Sequence, residues 1–289
     1  MLARGTTELA PIGRADVERV AQFLHEHLNR RVSPEAWAAA MVPPWTFEAP
    51  NHGFLLHDGG EVVGVHLAFY SSRVIDGQQR LFCNLGAWCV LDSHRSQGLR
   101  LLRALLAQRE FDFTDLSPSG NVVALNERLG FTRLDTATAV VPNLAWPSRS
   151  SRARVVTRAD EIEGLLDPHE RQLFLDHREA AAAHHLVLVA GGEHCYVVAR
   201  RDRRKNLPLF ASLLYVGNPE LLAAHPMPVR RCLLLHLGAL ATLAELRIVG
   251  IRPRLSVMVP TPRAKMFRSR ELRPESVDYL YSELACVAW

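Results

Sequence analysis

Lysine is almost missing from this 289-residue chain. Lys205 and Lys265 are the only two, and the rest of its 34 basic residues are arginine. Arginine's planar fork suits bidentate pairing with phosphate or carboxylate, but a GC-rich codon bias produces the same imbalance. Cysteine is sparse and odd in number (Cys83, Cys89, Cys195, Cys232, Cys286), with no CxxC. That excludes a disulfide framework and a structural zinc site, and it fits a reducing cytoplasm. Histidine is plentiful at 13, yet HExxH is absent. His25 and His27 stand two apart on an expected helix and point to different sides, so no metal is expected. No apolar run approaches the roughly 18 residues of a membrane span. The opening stretch MLARGTTELAPIGRADVERV lacks the apolar core of a secretory signal. Walker, GxGxxG and GxSxG patterns are also absent, which removes P-loop, dinucleotide and serine-hydrolase readings. A cytoplasmic protein without membrane contact is expected.

What is present describes a globular chain, 48% hydrophobic and 22% charged. Its length suggests about two domains. The formal charge of +4 is mild, and the basic excess lies in residues 151–289. The densest basic run, Arg200-Arg201-Asp202-Arg203-Arg204-Lys205, sits between two strand-like segments and reads as a solvated hairpin tip. No aromatic residue is interleaved, which argues against nucleic acid as a partner.

Periodicity predicts a helix over 15–30 and a second one starting at Ser33-Pro34-Glu35, with Ser as N-cap and Pro at the first position. Asp58-Gly59-Gly60 marks a hairpin, and Asp76-Gly77 a further turn. Then come a strand over 80–91, a loop and leucine-rich helix over 94–108, a strand over 111–117, a helix over 121–131 and a strand over 132–142. This order implies a mixed α/β sheet of the α+β kind, mostly antiparallel and flanked by helices. The Pro- and Ser-rich stretch 142–152 reads as a linker, so domains are expected at 1–145 and 146–289.

Beyond the linker the pattern recurs. Gly191-Gly192-Glu193 follows Gly59-Gly60-Glu61 by 132 residues, and Leu233-Leu234-Leu235 follows Leu101-Leu102-Arg103 by the same interval. A strand is expected over 245–251 in the place that 111–117 holds in the first half. A tandem duplication at very low identity is the expectation.

Chemistry concentrates at Val90-Leu91-Asp92-Ser93-His94-Arg95-Ser96-Gln97-Gly98-Leu99-Arg100. A strand ends, a polar loop with one glycine follows, and a helix begins. Such a junction aims backbone N–H groups and the positive helix end at one point, a natural anion site.

The run from about 80 to 135 resembles the acyl-CoA-binding core of the GNAT N-acetyltransferase superfamily. Arg95-Ser-Gln-Gly98-Leu-Arg100 stands where that family has [RQ]xxGx[GA]. Leu125-Asn126-Glu127-Arg128-Leu129-Gly130-Phe131 stands where it often has LYEKxGF. The likeness covers residues 5–140. It implies acetyl-CoA, or another acyl-CoA, as co-substrate. The pyrophosphate would lie on Arg95, Ser96, Gln97, Gly98, Leu99 and Arg100, and pantetheine along Trp88, Cys89 and Val90. Ser119, Asn121 and Asn126 would be near the cofactor. It also implies transfer of the acyl group to a small-molecule amine by direct attack in a ternary complex.

Two departures stand out. Arg100 replaces a small residue, and Asn126 replaces the tyrosine that often protonates the leaving thiolate, which an amide cannot do. Candidates for proton transfer are His66, with a suitable intrinsic pKa, Asn84 as an orienter of water, and Ser117. Cys83 and Cys89 read as apolar rather than nucleophilic. In the second half Pro219, Pro226 and Pro228 fall where a second cofactor loop would need N–H donors. That copy is expected to be degenerate, walling the acceptor site or holding a partner. The alternative function is a catalytically inactive CoA-binding or interaction protein. Monomer and homodimer both remain open.

Overall fold

The computed structural model describes residues 7–144, 153–204 and 207–288. Most of the expected linker 142–152, Lys205 and Trp289 lie outside the described residues.

The element order expected for the first half is the one observed. Strand β1 (Glu8–Pro11) precedes helices α1 (Val17–His27) and α2 (Pro34–Met41). Strands β2 (Gly53–Asp58), β3 (Glu61–Ile75) and β4 (Gln78–Val90) follow, then α3 (Gly98–Leu106), β5 (Asp112–Asp115) and α4 (Gly120–Arg128). In α1, Val20, Ala21, Phe23 and Leu24 form the buried stripe. Helix α2 opens where Ser33 Oγ accepts the Ala36 N–H at 3.3 Å, with Pro34 in the first turn. The β2–β3 hairpin turns on Gly59 and Gly60, both at positive φ.

The expected strand over 132–142 is two strands, β6 (Thr132–Arg133) and β7 (Thr138–Pro142). Between them Asp135 Oδ1 accepts the Ala137 N–H at 2.9 Å, an Asx turn that breaks the extended run. The second half holds β8 (Ala153–Val156), α5 (Ala159–Leu165), α6 (Pro168–His177), β9 (His184–Ala190), β10 (Glu193–Arg204) and β11 (Leu207–Val216). After these come α7 (Pro219–Ala224), α8 (Pro226–Leu237), β12 (Ala241–Glu245), α9 (Leu246–Val249), β13 (Val257–Met258), β14 (Met266–Arg268) and α10 (Glu283–Cys286). The strand expected over 245–251 is therefore misplaced. It lies earlier, in β12, because left-handed Gly238 ends α8 and releases the chain early. Leu246–Val249 is helical, and the Gly250 N–H bonds back to the Leu246 carbonyl.

Two seven-stranded sheets form, ordered β1-β2-β3-β4-β5-β14-β6 and β8-β9-β10-β11-β12-β7-β13. Position by position the senses agree: every pair is antiparallel except β4/β5 and β11/β12, which are parallel. Each sheet receives one strand from across the middle of the chain, β14 in the first and β7 in the second. The likeness of the sheets is consistent with a tandem duplication joined by reciprocal strand exchange. Leu101 and Leu233, 132 residues apart, are both buried.

Three apolar layers result. Helices α3 and α4 cover the outer face of the first sheet, and α7, α8 and α9 that of the second. Between the sheets lies one shared core, to which Trp37, Val65, Leu67 and Phe69 contribute from one side, and Tyr196, Val198 and Leu214 from the other. Residues Val277–Val287 fill its middle. The basic run at 200–204 is strand rather than a solvated tip. Alternation turns Arg200 and Asp202 inward, both buried, and leaves Arg201 outside.

Candidate active site

Strands β4 and β5 pair in parallel from Phe82↔Asp112 to Leu85↔Asp115 and then separate. Strand β4 continues to Val90 against β3 alone, so a notch opens beside Gly86–Val90. Residues 282–287 wedge into it from the shared core. The Glu283 N–H donates to Asn84 Oδ1 at 3.1 Å, and Ser117 Oγ donates to Glu283 Oε1 at 2.7 Å. Gly86 makes room: a Cβ there would stand 2.7 Å from Phe69 Cε2 and 3.5 Å from Glu283 Cβ. From the second sheet, Arg200 donates to the carbonyls of Leu284 (3.0 Å) and Val287 (3.3 Å). The Ala182 N–H donates to the Ala285 carbonyl at 2.9 Å. His177 accepts the Tyr281 N–H on Nε2 at 3.0 Å, leaving Nδ1–H for the Leu173 carbonyl at 2.8 Å.

Glu283 is fully buried, and among the described residues its Oε2 has no hydrogen-bond partner. Burial pushes its carboxyl up to about 7; the Ser117 hydroxyl pulls it back and the Asp115 charge raises it further. Asp115, also buried, is pushed up to about 6 by burial, although Asn126 Nδ2 donates to its Oδ2 at 2.8 Å. The two carboxyls interact, so they titrate as a pair. A half-satisfied carboxylate that titrates near neutrality in a sheet notch is equipped to accept a proton.

The expected site residues separate into three groups. Asn84 and Ser117 meet at Glu283. Asn84 is buried and already engaged: its Nδ2 donates to Thr114 Oγ1 at 3.0 Å and its Oδ1 accepts the Glu283 N–H. His66 lies elsewhere, on the face toward α3. Its ring stacks on Trp88 at 4.8 Å, and burial pushes it down to about 3, which makes it a poor base at neutral pH. Asn126 is fully buried, with its Nδ2 donating to Asp115 Oδ2. Ser119 and Asn121 are exposed at the start of α4. Burial raises the thiols of Cys83 and Cys89, so neither offers a thiolate.

The polar loop expected after β4 is wound into a helical turn. Asp92–Gln97 winds into a 3₁₀ turn, spending the His94 N–H on the Leu91 carbonyl (2.9 Å) and the Gly98 N–H on the Arg95 carbonyl. Arg95 and Ser96 are exposed and Gln97 is half-buried. Arg100 turns away, donating to the Thr7 carbonyl at 2.9 Å and to Gln97 Oε1 at 3.2 Å. Gly98 permits a close protein contact: a Cβ there would meet Val90 Cγ2 at 3.3 Å and Trp88 Nε1 at 3.8 Å. Among the described residues the buried Trp88 Nε1 and His66 Nδ1 have no hydrogen-bond partners.

Glu283 and Asp115 were not among the residues the sequence singled out. Asp115 ends an ordinary strand. Glu283 reaches the notch only through tertiary packing, 199 residues after Asn84. The one local hint is a lone acid in the apolar run Ser282-Glu283-Leu284-Ala285-Cys286-Val287.

No family model matches the chain, and no curated protein matches its sequence. Solved structures do. A GCN5-related N-acetyltransferase from Kribbella flavida is 12% identical over 92% of this chain and 72% of its own, with a TM-score of 0.56. One from Anabaena variabilis is 9% identical over 91% and 72%, with a TM-score of 0.57. Saccharomyces cerevisiae N-myristoyltransferase, with myristoyl-CoA and inhibitors bound, is 12% identical over 99% and 87%, with a TM-score of 0.51. The chain has the GCN5-related N-acetyltransferase fold.

Proposed function

We propose that the protein is an acyl-CoA-dependent acyltransferase that moves an acetyl group to the amine of a small molecule, with Glu283 as general base. The observation that carries this is the unpartnered, buried Glu283 Oε2 beside the notch where β4 parts from β5. In this reading pantetheine follows the free edge of Trp88–Val90, and the α3 end beside Ser96–Gly98 faces the pyrophosphate. The unpartnered Trp88 Nε1–H next to Gly98 supports a ligand there. Glu283 takes a proton from the ammonium form of the acceptor. The neutral amine attacks the thioester carbon, the C–N bond forms and the C–S bond breaks; the second nitrogen proton is lost to solvent and the departing thiolate takes one up from solvent, leaving the amide and the CoA thiol. Residues 146–289 contribute the wall that holds Glu283 in place.

A second reading has an observation of its own. The 3₁₀ turn consumes two loop amides and Arg100 faces away, which favours a protein that keeps the fold without turnover. One series of measurements separates the two. Titration calorimetry with acetyl-CoA and CoA is run on wild type and on Ser96→Glu, which adds negative charge at an exposed position. Acceptor-dependent thiol release is then followed over an amine panel for wild type and Glu283→Gln. Micromolar binding weakened by S96E, with turnover reduced about 100-fold or more in E283Q, is the expected result. Binding without turnover on any amine leaves the non-catalytic CoA-binding reading, and absence of binding by folded protein removes the acyltransferase and leaves an interaction protein that keeps only the fold.

A further inference from the structure

We propose that the second half carries a small-molecule site of its own, a cavity for an amphipathic anion with an aliphatic chain and a carboxylate head. The proposal stands independently of the acyl-transfer reading. The cavity encloses about 600 Å³, a size that buries most of a small ligand. It lies on the outer face of the second sheet, where β11 parts from β12 after Ser212↔Leu243. Helices α7, α8 and α9 and residues 251–255 roof it. Its walls are aliphatic, among them Leu213, Leu222, Val229, Leu233, Ala244 and Val249.

The polar lining has one sign. Arg230, Arg252 and Arg254 line the cavity, and no carboxylate does. Thr242 is already engaged with Asn143 Oδ1 at 2.8 Å. Arg252 is tied to Ser256, through its carbonyl at 3.1 Å and its hydroxyl at 3.3 Å. Arg230 is half-buried, and burial alone depresses its pKa. Among the described residues no acid pairs with it. A partly desolvated guanidinium without a counter-charge is costly unless an anion completes it.

Position in the fold narrows the ligand. The corresponding point of the first sheet is the notch beside Gly86–Val90, flanked by the loop before α3. Here Pro219, Pro226 and Pro228 occupy the first turns of α7 and α8. Proline brings no N–H, so the backbone is poorly equipped to cradle a pyrophosphate. Anion recognition falls to guanidinium side chains, which match a carboxylate with two parallel hydrogen bonds. The aliphatic walls take the chain. At the mouth Ile251 and Leu255 stand 61% and 80% exposed, apolar surface placed to close over it.

The test is titration calorimetry of the whole protein with decanoate, octanoate, decanol and decyltrimethylammonium below their aggregation limits. Saturable binding of decanoate is expected, tighter than octanoate by roughly fifteenfold, from about fourfold for each of two buried methylenes. Decanol should bind at least tenfold more weakly, and the cation should not bind. Arg230→Gln should weaken decanoate about tenfold or more and leave the chain-length dependence intact. Ala223→Trp, at the mouth, should block binding; if that variant fails to fold, the head-group series on wild type still decides. Ser96→Glu should bind decanoate as wild type does, which keeps this outcome separate from acyl-CoA binding. No saturable binding by folded wild type, equal affinity for decanol and decanoate, or undiminished binding by R230Q would overturn the proposal.

Discussion

Ser117 Oγ donates a 2.7 Å hydrogen bond to Glu283 Oε1 across 166 residues of sequence, from the end of β5 to the start of α10. It stabilises the charged carboxylate, so it opposes the burial that raises Glu283 to about 7. Removing it with Ser117→Ala should move the titration upward. If Glu283 is the base, kcat/KM rises with pH through an apparent value near 7 in wild type. In S117A that limb should shift to higher pH, with activity reduced at pH 7 and regained at pH 9. A pH–rate profile identical to wild type would remove Glu283 from proton transfer.

Stability should carry the same signature with a definite sign. An ordinary glutamate titrates near 4.5, and Glu283 in the fold near 7. Between those values the folded state holds a proton the unfolded state has lost, so stability falls as pH rises. The loss begins near pH 4.5 and is complete above 7, on the order of 3 kcal/mol at most. Asp115, raised to about 6, adds a loss of the same sign. Glu283→Gln removes the larger contribution. Denaturant unfolding at pH 5 and pH 8 should therefore differ much less for E283Q than for wild type. An unchanged difference would mean that Glu283 is not a buried titrating group.

Arg200 is the second sheet's hold on the wedge, and its guanidinium donates to two carbonyls of the 284–287 turn. Arg200→Met keeps the apolar stem and strands both acceptors in a buried setting. A loss of about 2–4 kcal/mol is expected, read by urea unfolding. Acyl transfer should fall more than acetyl-CoA affinity, because in the proposed mechanism the wedge carries the base and not the cofactor loop. Loss of affinity with turnover preserved would contradict this division.

The first half was legible because its signals are local. A serine cap and proline opened α2, a Gly-Gly turn set the β2–β3 hairpin, and leucine spacing gave α3 its buried side. The strand exchange was not legible. β7 and β14 are short apolar strands whose own residues do not say which sheet they join. The loop before α3 was legible as a junction but not in its winding, because 3₁₀ turns and irregular loops use the same polar residues. His66 shows the limit most clearly. Its intrinsic pKa made it a candidate, yet burial beside the stacked Trp88 ring pushes it down to about 3. Glu283 acquires its character only from what surrounds it.

Gly98 packs where the proposed donor site would lie. Its missing Cβ lets the first turn of α3 rest on Val90 and on the indole of Trp88. Gly98→Ala should be tolerated with a small change, since the nearest contact would be 3.3 Å to a valine methyl that need yield only a few tenths of an ångström. Gly98→Val adds two methyls that have no such room, and forcing them in should cost about 1–3 kcal/mol. The helix end would then stand off β4, away from the unpartnered Trp88 Nε1–H. Acetyl-CoA affinity should fall in G98V far more than in G98A, while decanoate binding in the second half stays unchanged. Calorimetry on the two variants reads both effects, and equal acetyl-CoA affinity in both would separate the α3 end from the donor site.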